Sequence, residues 1–509
     1  MDEVFGVIGI CGPTGNLTAR VIMDNGFQVI GTDVKSREEC DYLYTLDDYD
    51  IKLFLKGHPD NFFDSLNYVI PPISLSKNSK LLLDIEKQIE YSDNANKAQI
   101  ISVEDIIKRF KPEKPVIFVT GTNGKTTTVS LLKHLCNFSG LKTAEHNFKN
   151  LQGNAEYIPP LQARLNGDVA VLETGIMGKK GDLKFIIDRC EPSAGIITNI
   201  TPDHLNGGGD FLRYAKVKGE LIENLKGKQL IINSDDPTLV GLVDSLNFKG
   251  DLITFGIDHD VTYENTKKCW CGRDLKISET IAGVGYYSCE CGLKSEKPMY
   301  TATNIQANSF TLLTPDKPMD VNHSLLGLHN VYNAVGSIIA AREFFKISDN
   351  DILNSIKDFK GVPGRLEYVS KFQGKDIIID YGHNPYGVQT VLTELKKIYP
   401  DKKIAAVITI ASESGKSGDM DILTRSLKLA DYVIPASFCC RKAALKIADS
   451  PKIILTDTAP SDFRKGLLGA TSEQVVEGFK KSMETDADVV LCLGEAAFKS
   501  KNSIKSCLN

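Results

Sequence analysis

The chain has 509 residues, 42% hydrophobic and 25% charged, and its 60 basic against 65 acidic side chains leave a formal net charge of −5. This composition excludes disordered, collagenous and coiled-coil classes, and without a long Lys/Arg run the chain lacks the footing for sequence-independent nucleic-acid binding, which depends on neutralising phosphates. No stretch approaches the ~18 uninterrupted apolar residues of a membrane span, and the acidic start MDEVFGVIGICG is unlike a basic signal peptide, so a cytoplasmic chain of roughly two to four domains is expected, with no nucleic-acid or membrane partner.

In chain order, the apolar run VFGVIGI leads into Gly9, Gly12 and Gly15, a helix-like stretch, and a second run FQVIGTD ending at Asp33. This predicts a βαβ nucleotide-binding start, continued by NYVIPP (67–72), in a first domain over residues 1–100. The segment 103–115 reads as a short helix and a linker. From Pro115 the runs VIFV (116–119), VAVL (169–172), AGIITNI (194–200) and QLIIN (229–233) alternate with helical patterns, which predicts a mostly parallel α/β sheet in a domain spanning 115–362. A cysteine-rich insertion at 263–300 interrupts it. The alternation restarts with DIIID (376–380), KIAAVITI (403–410), DYVIP (431–435), KIILT (452–456) and DVVLCLG (488–494), giving a third α/β domain over 363–509.

In VIFVTGTNGKTTTVSLLKHL a strand runs directly into Gly121, Thr122, Asn123, Gly124, Lys125, Thr126 and Thr127, and a helical pattern follows. Loop N–H groups and a helix N-terminus cradle phosphates, a lysine reaches the terminal phosphates, and a threonine hydroxyl ligates Mg²⁺. The longer phosphate-loop motif has glycine where this chain has Val119. The shorter form TGTNGKTT resembles the nucleotide loop of the Mur ligase family, ATP-dependent enzymes that join an amino acid to a carboxylate through an acyl phosphate.

Further matches run through the whole chain in order. Glu173 ends the run VAVL and His204 lies in TPDHL; the resemblance implies that both ligate Mg²⁺ with Thr126. Tyr214 to Lys218 resemble the family's YxxxK segment, whose lysine is often carbamylated; this implies that Lys218 is a metal ligand, with Lys216 the competing choice on a generic helix. NSDDP (233–237) and GLHNVYNA (327–334) also match, and imply that Asn330, with Asn333 one turn on, contacts the nucleotide, while His329 is structural. PGRLE and IIIDYGHNP supply Arg365, Asp380 and His383; the first two are implied to bind phosphate and ribose, and His383 to stand beside the reacting groups.

At the N-terminus, Gly12 and Gly15 with Asp33 resemble the front domain of Mur ligases that hold a UDP-linked substrate. The spacing GxxGxxG is not the dinucleotide pattern GxGxxG, so NAD binding is the weaker alternative. Cys269, Cys271, Cys289 and Cys291 form two CxCG knuckles suited to a structural Zn²⁺, with Trp270 packed over them, while the other eight cysteines suggest no disulfide framework. The implied architecture is α/β and three-domain: a Rossmann-like front, a phosphate-loop centre with a zinc-ribbon-like insertion, and a Rossmann-like C-terminal domain. The implied reaction joins a free amino acid to a UDP-linked peptide or amino-acid precursor with ATP, Mg²⁺ and Zn²⁺, most like archaeal pseudomurein peptide ligases. Alternatives are an amidating subunit of the lipid II isoglutaminyl synthase type, a cyanophycin- or poly-glutamate-type ligase, and a nucleotide-switched zinc-ribbon binding protein.

Overall fold

The computed structural model describes the chain except for residues 1–2, 77–78, 149–155, 176–178, 202–210, 226, 262, 282, 413–414, 448–449, 458–468 and 509. It forms two compact units, one of Met1–Phe118, Gly140–Ile176 and Gly181–Ala194, the other of Val119–Ser139, Met177–Lys180 and Gly195–Asn509.

The first sheet contains β1 (Val4–Ile8), β2 (Gln28–Asp33), β3 (Lys52–Leu55), β4 (Tyr68–Ile70) and β5 (Gln99–Ile100) in the order β3-β2-β1-β4-β5. Every pairing is parallel. The helix Pro13–Asp24 starts with proline at its first turn, where no N–H is needed, and buries Leu17, Val21 and Ile22.

The second sheet has β6 (Val116–Thr120), β7 (Ala170–Glu173), β8 (Ala194–Ile197), β9 (Gln229–Asn233) and β10 (Asp251–Ile257). A separate three-stranded antiparallel sheet follows, of β11 (Tyr263–Lys268), β12 (Asp274–Ile281) and β13 (Val284–Cys289), before the chain returns as β14 (Tyr300–Thr303), β15 (Ser309–Leu313) and β16 (Met319–Asn322). The large sheet runs β16-β15-β14-β10-β9-β8-β6-β7. The C-terminal sheet, β17 (Glu367–Phe372), β18 (Lys375–Asp380), β19 (Ile404–Ile408), β20 (Tyr432–Pro435) and β21 (Val489–Leu493), is ordered β17-β18-β21-β19-β20. Its central strands are buried on both faces, which is why they read as unbroken apolar runs.

Three expectations change. The central sheet is not parallel throughout: β15 and β16 run antiparallel and close one edge of it, and in the C-terminal sheet β17 is antiparallel to β18. KIILT is not a strand: Ile453 N–H turns back to Ser450 O at 3.1 Å, leaving a single bridge between Val433 and Ile453. Cys11 and Cys40 form a disulfide with their Cα atoms 4.9 Å apart, because the glycine turn brings Cys11 to the end of the short Arg37–Glu39 helical turn.

Candidate active site

The phosphate loop is clamped from the end of β8. Asn123 O accepts from Thr198 Oγ1 at 2.6 Å and Asn199 Nδ2 at 3.0 Å, while Asn123 N–H donates to Asn199 Oδ1 at 3.0 Å. Thr122 Oγ1 donates to Thr201 O at 3.1 Å and accepts from Thr201 N–H at 3.0 Å. Gly124 caps the helix Lys125–Phe138 with φ +87°, and a Cβ there would stand 2.3 Å from Asn333 Oδ1. Only glycine tolerates both demands. Lys125 Nζ donates to Gly121 O at 3.0 Å and Thr122 O at 2.9 Å, holding its ammonium at the loop above the open helix N-terminus.

Beside the loop, the helix Phe211–Asn224 separates the two candidate lysines. Lys216 is exposed; Lys218 is buried, with Nζ 3.4 Å from Thr120 Oγ1 and 5.5 Å from the Tyr214 ring centre. Glu173 ends β7 half-buried, in the other unit, and His204 lies outside the described residues.

Within the second unit a cleft joins the loop to the C-terminal sheet. Its walls include Asn123, Gly124, Thr126, Thr127, Asn333, Arg365 and Asp380. Arg365 Nη2 reaches Thr126 Oγ1 at 3.3 Å and its guanidinium lies 4.8 Å from the Tyr381 ring centre. Asp380 uses both oxygens on backbone, accepting Leu366 N–H at 2.8 Å and Gly382 N–H at 2.6 Å, so it shapes the turn that presents Arg365. Leu366 is held at φ +46°, a conformation retained only where the surroundings over-determine it. His383 stands edge-on to Tyr381, ring centres 5.9 Å apart.

Several residues that tie the C-terminal domain to the phosphate loop and its neighbours were not among the sequence candidates. Asn384, fully buried, caps its own helix through Gly387 N–H at 2.8 Å and donates to Asn123 Oδ1 at 3.0 Å. Glu394 caps the helix Leu328–Ile339 from the C-terminal domain, accepting Leu328 N–H at 2.6 Å. Asn330 supports Asn333 through a 3.0 Å hydrogen bond, and His329, taken as structural from the sequence, lines the cleft. Burial pushes its imidazole below the usual histidine range. The apolar wall comes from Phe255, Ile281, Val284, Tyr332 and Val391.

The NSDDP segment is the junction behind this cleft. Asp236 caps the helix Pro237–Ser245 and accepts Ile200 N–H at 2.6 Å; Asp235 accepts Tyr332 OH at 2.8 Å and Ile257 N–H at 2.8 Å. Burial pushes both carboxyls up to about 6.

The Mur ligase middle domain matches residues 119–341, and the Mur ligase glutamate ligase domain matches 364–495. A pseudomurein peptide ligase type C from Methanothermus fervidus is 35% identical, covers 100% of both chains and superposes with a TM-score of 0.86. The chain belongs to the Mur ligase family. Members are ATP-dependent amide-forming ligases that use Mg²⁺, and the three-domain architecture is that of the family. Among curated relatives, the UDP-N-acetylmuramate–L-alanine ligase of Clostridium kluyveri is 28% identical over 408 residues, 79% of this chain and 76% of that one. The MurT subunit of the Staphylococcus aureus lipid II isoglutaminyl synthase is 26% identical over 310 residues, 58% of this chain and 68% of its own.

This Mur ligase carries two further constellations. In the front sheet, Asp33 accepts Cys11 N–H at 2.9 Å and Lys35 N–H at 3.1 Å, so it organises the glycine loop. A Cβ on Gly15 would lie 2.3 Å from Gly9 O, and Gly12 caps the helix that follows. In the insertion, Cys269 and Cys291 Sγ are 3.7 Å apart, Cys271 and Cys289 Sγ likewise, and all four sulfurs fall within 4.8 Å of one another. Such a cluster could hold a metal ion. Trp270 packs with Leu275, Ile277 and Tyr287 under the knuckles, and its Cβ lies close against Gly241.

Proposed function

We propose that this Mur ligase adds a free amino acid to the peptide carboxylate of a UDP-linked cell-wall precursor of the pseudomurein type. The observation that carries this reading is the end-to-end correspondence with the Methanothermus fervidus ligase, front sheet included. The MurT relative matches only 58% of this chain, which favours the amidating alternative less. The proposed domain bounds are 1–100, 115–362 and 363–509.

When bound, ATP supplies the phosphoryl group that activates the acceptor carboxylate for attack by the amine. Lys125 and the helix N-terminus behind it offset charge on the transferred phosphoryl oxygens. Arg365 reaches the same side of the loop at Thr126. The Thr126 hydroxyl, Glu173, His204 and Lys218 as a carbamate form the proposed Mg²⁺ set. Asn330 fixes Asn333 beside Gly124 of the phosphate loop, and Asp380 fixes the turn that carries Arg365. His383 is assigned to the reacting groups. Gly12, Gly15 and Asp33 are assigned to the UDP pyrophosphate loop. The proposed location is cytoplasmic; no helix among the described residues is long and apolar enough to cross a membrane. A screen of UDP-linked acceptors against the common amino acids, followed by ADP release, tests the reading. ADP release that requires both an acceptor and one amino acid, with a new amide in the product, is expected; nucleotide hydrolysis indifferent to either would overturn it.

The cysteine cluster is assigned to Zn²⁺. At ~2.3 Å per Zn–S bond, tetrahedral geometry requires sulfurs about 3.8 Å apart, and the paired sulfurs here are 3.7 Å apart. Purified protein is expected to hold about one zinc per chain. Changing Cys289 and Cys291 to serine should release it and open the insertion to proteolysis, because metal binding supplies much of the folding free energy of so small a segment. A metal-free wild type with an equally protected insertion would refute the assignment.

A further inference from the structure

The insertion extends beyond its cysteines. Its knuckles lie at one end of the three-stranded sheet, and at the other Ile281 and Val284, paired across the end of β12 and β13, form part of the cleft wall. A Cβ on Gly283, between those strands, would stand 2.9 Å from Lys267 Nζ, 3.0 Å from Thr201 Cγ2 and 3.6 Å from Tyr386 Cε1. This is the meeting point of the insertion, the segment that clamps the phosphate loop, and the first turn of the C-terminal helix Pro385–Ile398.

Lys267 dominates this junction. Its ammonium lies 3.2 Å from Glu279, whose side chain is 0% exposed, and 5.4 Å from the centre of the Tyr386 ring. The Glu279 oxygens are buried and take no hydrogen bond among the described residues, so Lys267 is the charge that makes their burial tolerable. Arg425 lies 4.5 Å from the same Tyr386 ring, anchored by Asp421 at 2.9 Å. Tyr386 thus faces two cations, one from the insertion and one from its own domain, an arrangement attractive to the ring's negative faces.

We propose that the insertion latches the nucleotide cleft: Lys267, fixed by Glu279, is a positioning residue that holds Tyr386, and with it the C-terminal helix, against the phosphate loop. The proposal rests on the ATP-site reading above. Asn384 and Glu394 belong to the helix that Tyr386 opens, and each bonds to the central domain, at Asn123 and at Leu328. Loosening Tyr386 therefore relaxes both. Nucleotide retention, rather than phosphoryl transfer, is what the latch controls.

The test uses full-length protein. Lys267→Met alone strands the Glu279 charge, so it is made together with Glu279→Gln, and Tyr386→Leu serves as a variant that leaves the ion pair intact. Each is expected to raise KM for ATP about tenfold with kcat within about twofold, bound zinc unchanged, and ADP dissociating correspondingly faster in stopped flow. Lys267→Arg and Tyr386→Phe should behave as wild type. Adding the lysine-pair change to Tyr386→Leu should add nothing, since the leucine has already removed the ring that Lys267 faces. Unchanged KM in Tyr386→Leu, or fully additive effects, would overturn the latch. Wild-type protein that binds no ADP would instead overturn the ATP-site reading itself.

Discussion

Lys125→Ala is expected to stay folded and to lose ligation by at least about 10³-fold, the scale of removing a principal phosphoryl-stabilising charge. The lysine's bonds to Gly121 O and Thr122 O join a half-buried side chain to its own loop, so their loss costs about 1–2 kcal/mol and lowers the melting temperature by only a few degrees. The loop keeps its shape because its clamps are Thr198, Asn199 and Thr201, which bond to Thr122 and Asn123. ADP release measured beside a thermal melt decides the matter. A folded variant with near-normal turnover would remove Lys125 from the site.

Lys218→Ala is the second large effect. Lys218 is buried with Nζ 3.4 Å from Thr120 Oγ1, and as the proposed carbamate it would place an anionic ligand at the base of the phosphate loop. The alanine variant should fall below about 1% of wild-type ligation, the range expected when a metal-binding group is removed. Short carboxylic acids should restore part of the activity by filling the vacated space. Lys216→Ala, altering an exposed side chain on the same helix, should be indistinguishable from wild type. Full activity in Lys218→Ala with loss in Lys216→Ala would reverse the register.

Much of the fold was legible because parallel strands buried on both faces write continuous apolar runs, as β9 and β19 do. KIILT has the same composition, yet its backbone turns at Ser450 and forms one bridge, which hydrophobicity cannot reveal. The strands β15 and β16 alternate inward and outward residues and carry polar positions, so they do not write the continuous apolar runs of the parallel strands. In the site, the phosphate loop was legible from its strand, glycine turn and helix in succession, whereas Arg365 and Asp380 stood out only through the family resemblance of PGRLE and IIIDYGHNP. Thr198, Asn199, Asn384 and Glu394 were not legible because their work is hydrogen bonding to backbone or to the Asn123 side chain across long sequence separations. The contribution of Ile281 and Val284 to the cleft left no trace in the sequence at all: two aliphatic residues in an insertion look like the insertion's own core.

The Cys11–Cys40 bond bears on the unfolded chain as well as the folded one. It closes a loop between residues 29 apart, which in the chain-entropy picture removes disorder from the denatured ensemble worth about 3–4 kcal/mol. That loop encloses β2 and Asp33, the same carboxylate that holds Cys11 N–H, so a covalent tie and a hydrogen bond converge on one residue of the glycine turn. Reduction would leave the hydrogen bond to order the turn alone, shifting the cost of arranging it from folding to the moment a substrate binds. Affinity at the front domain would then carry an entropic penalty that depends on the thiol state of its surroundings, with every contact to the substrate unchanged.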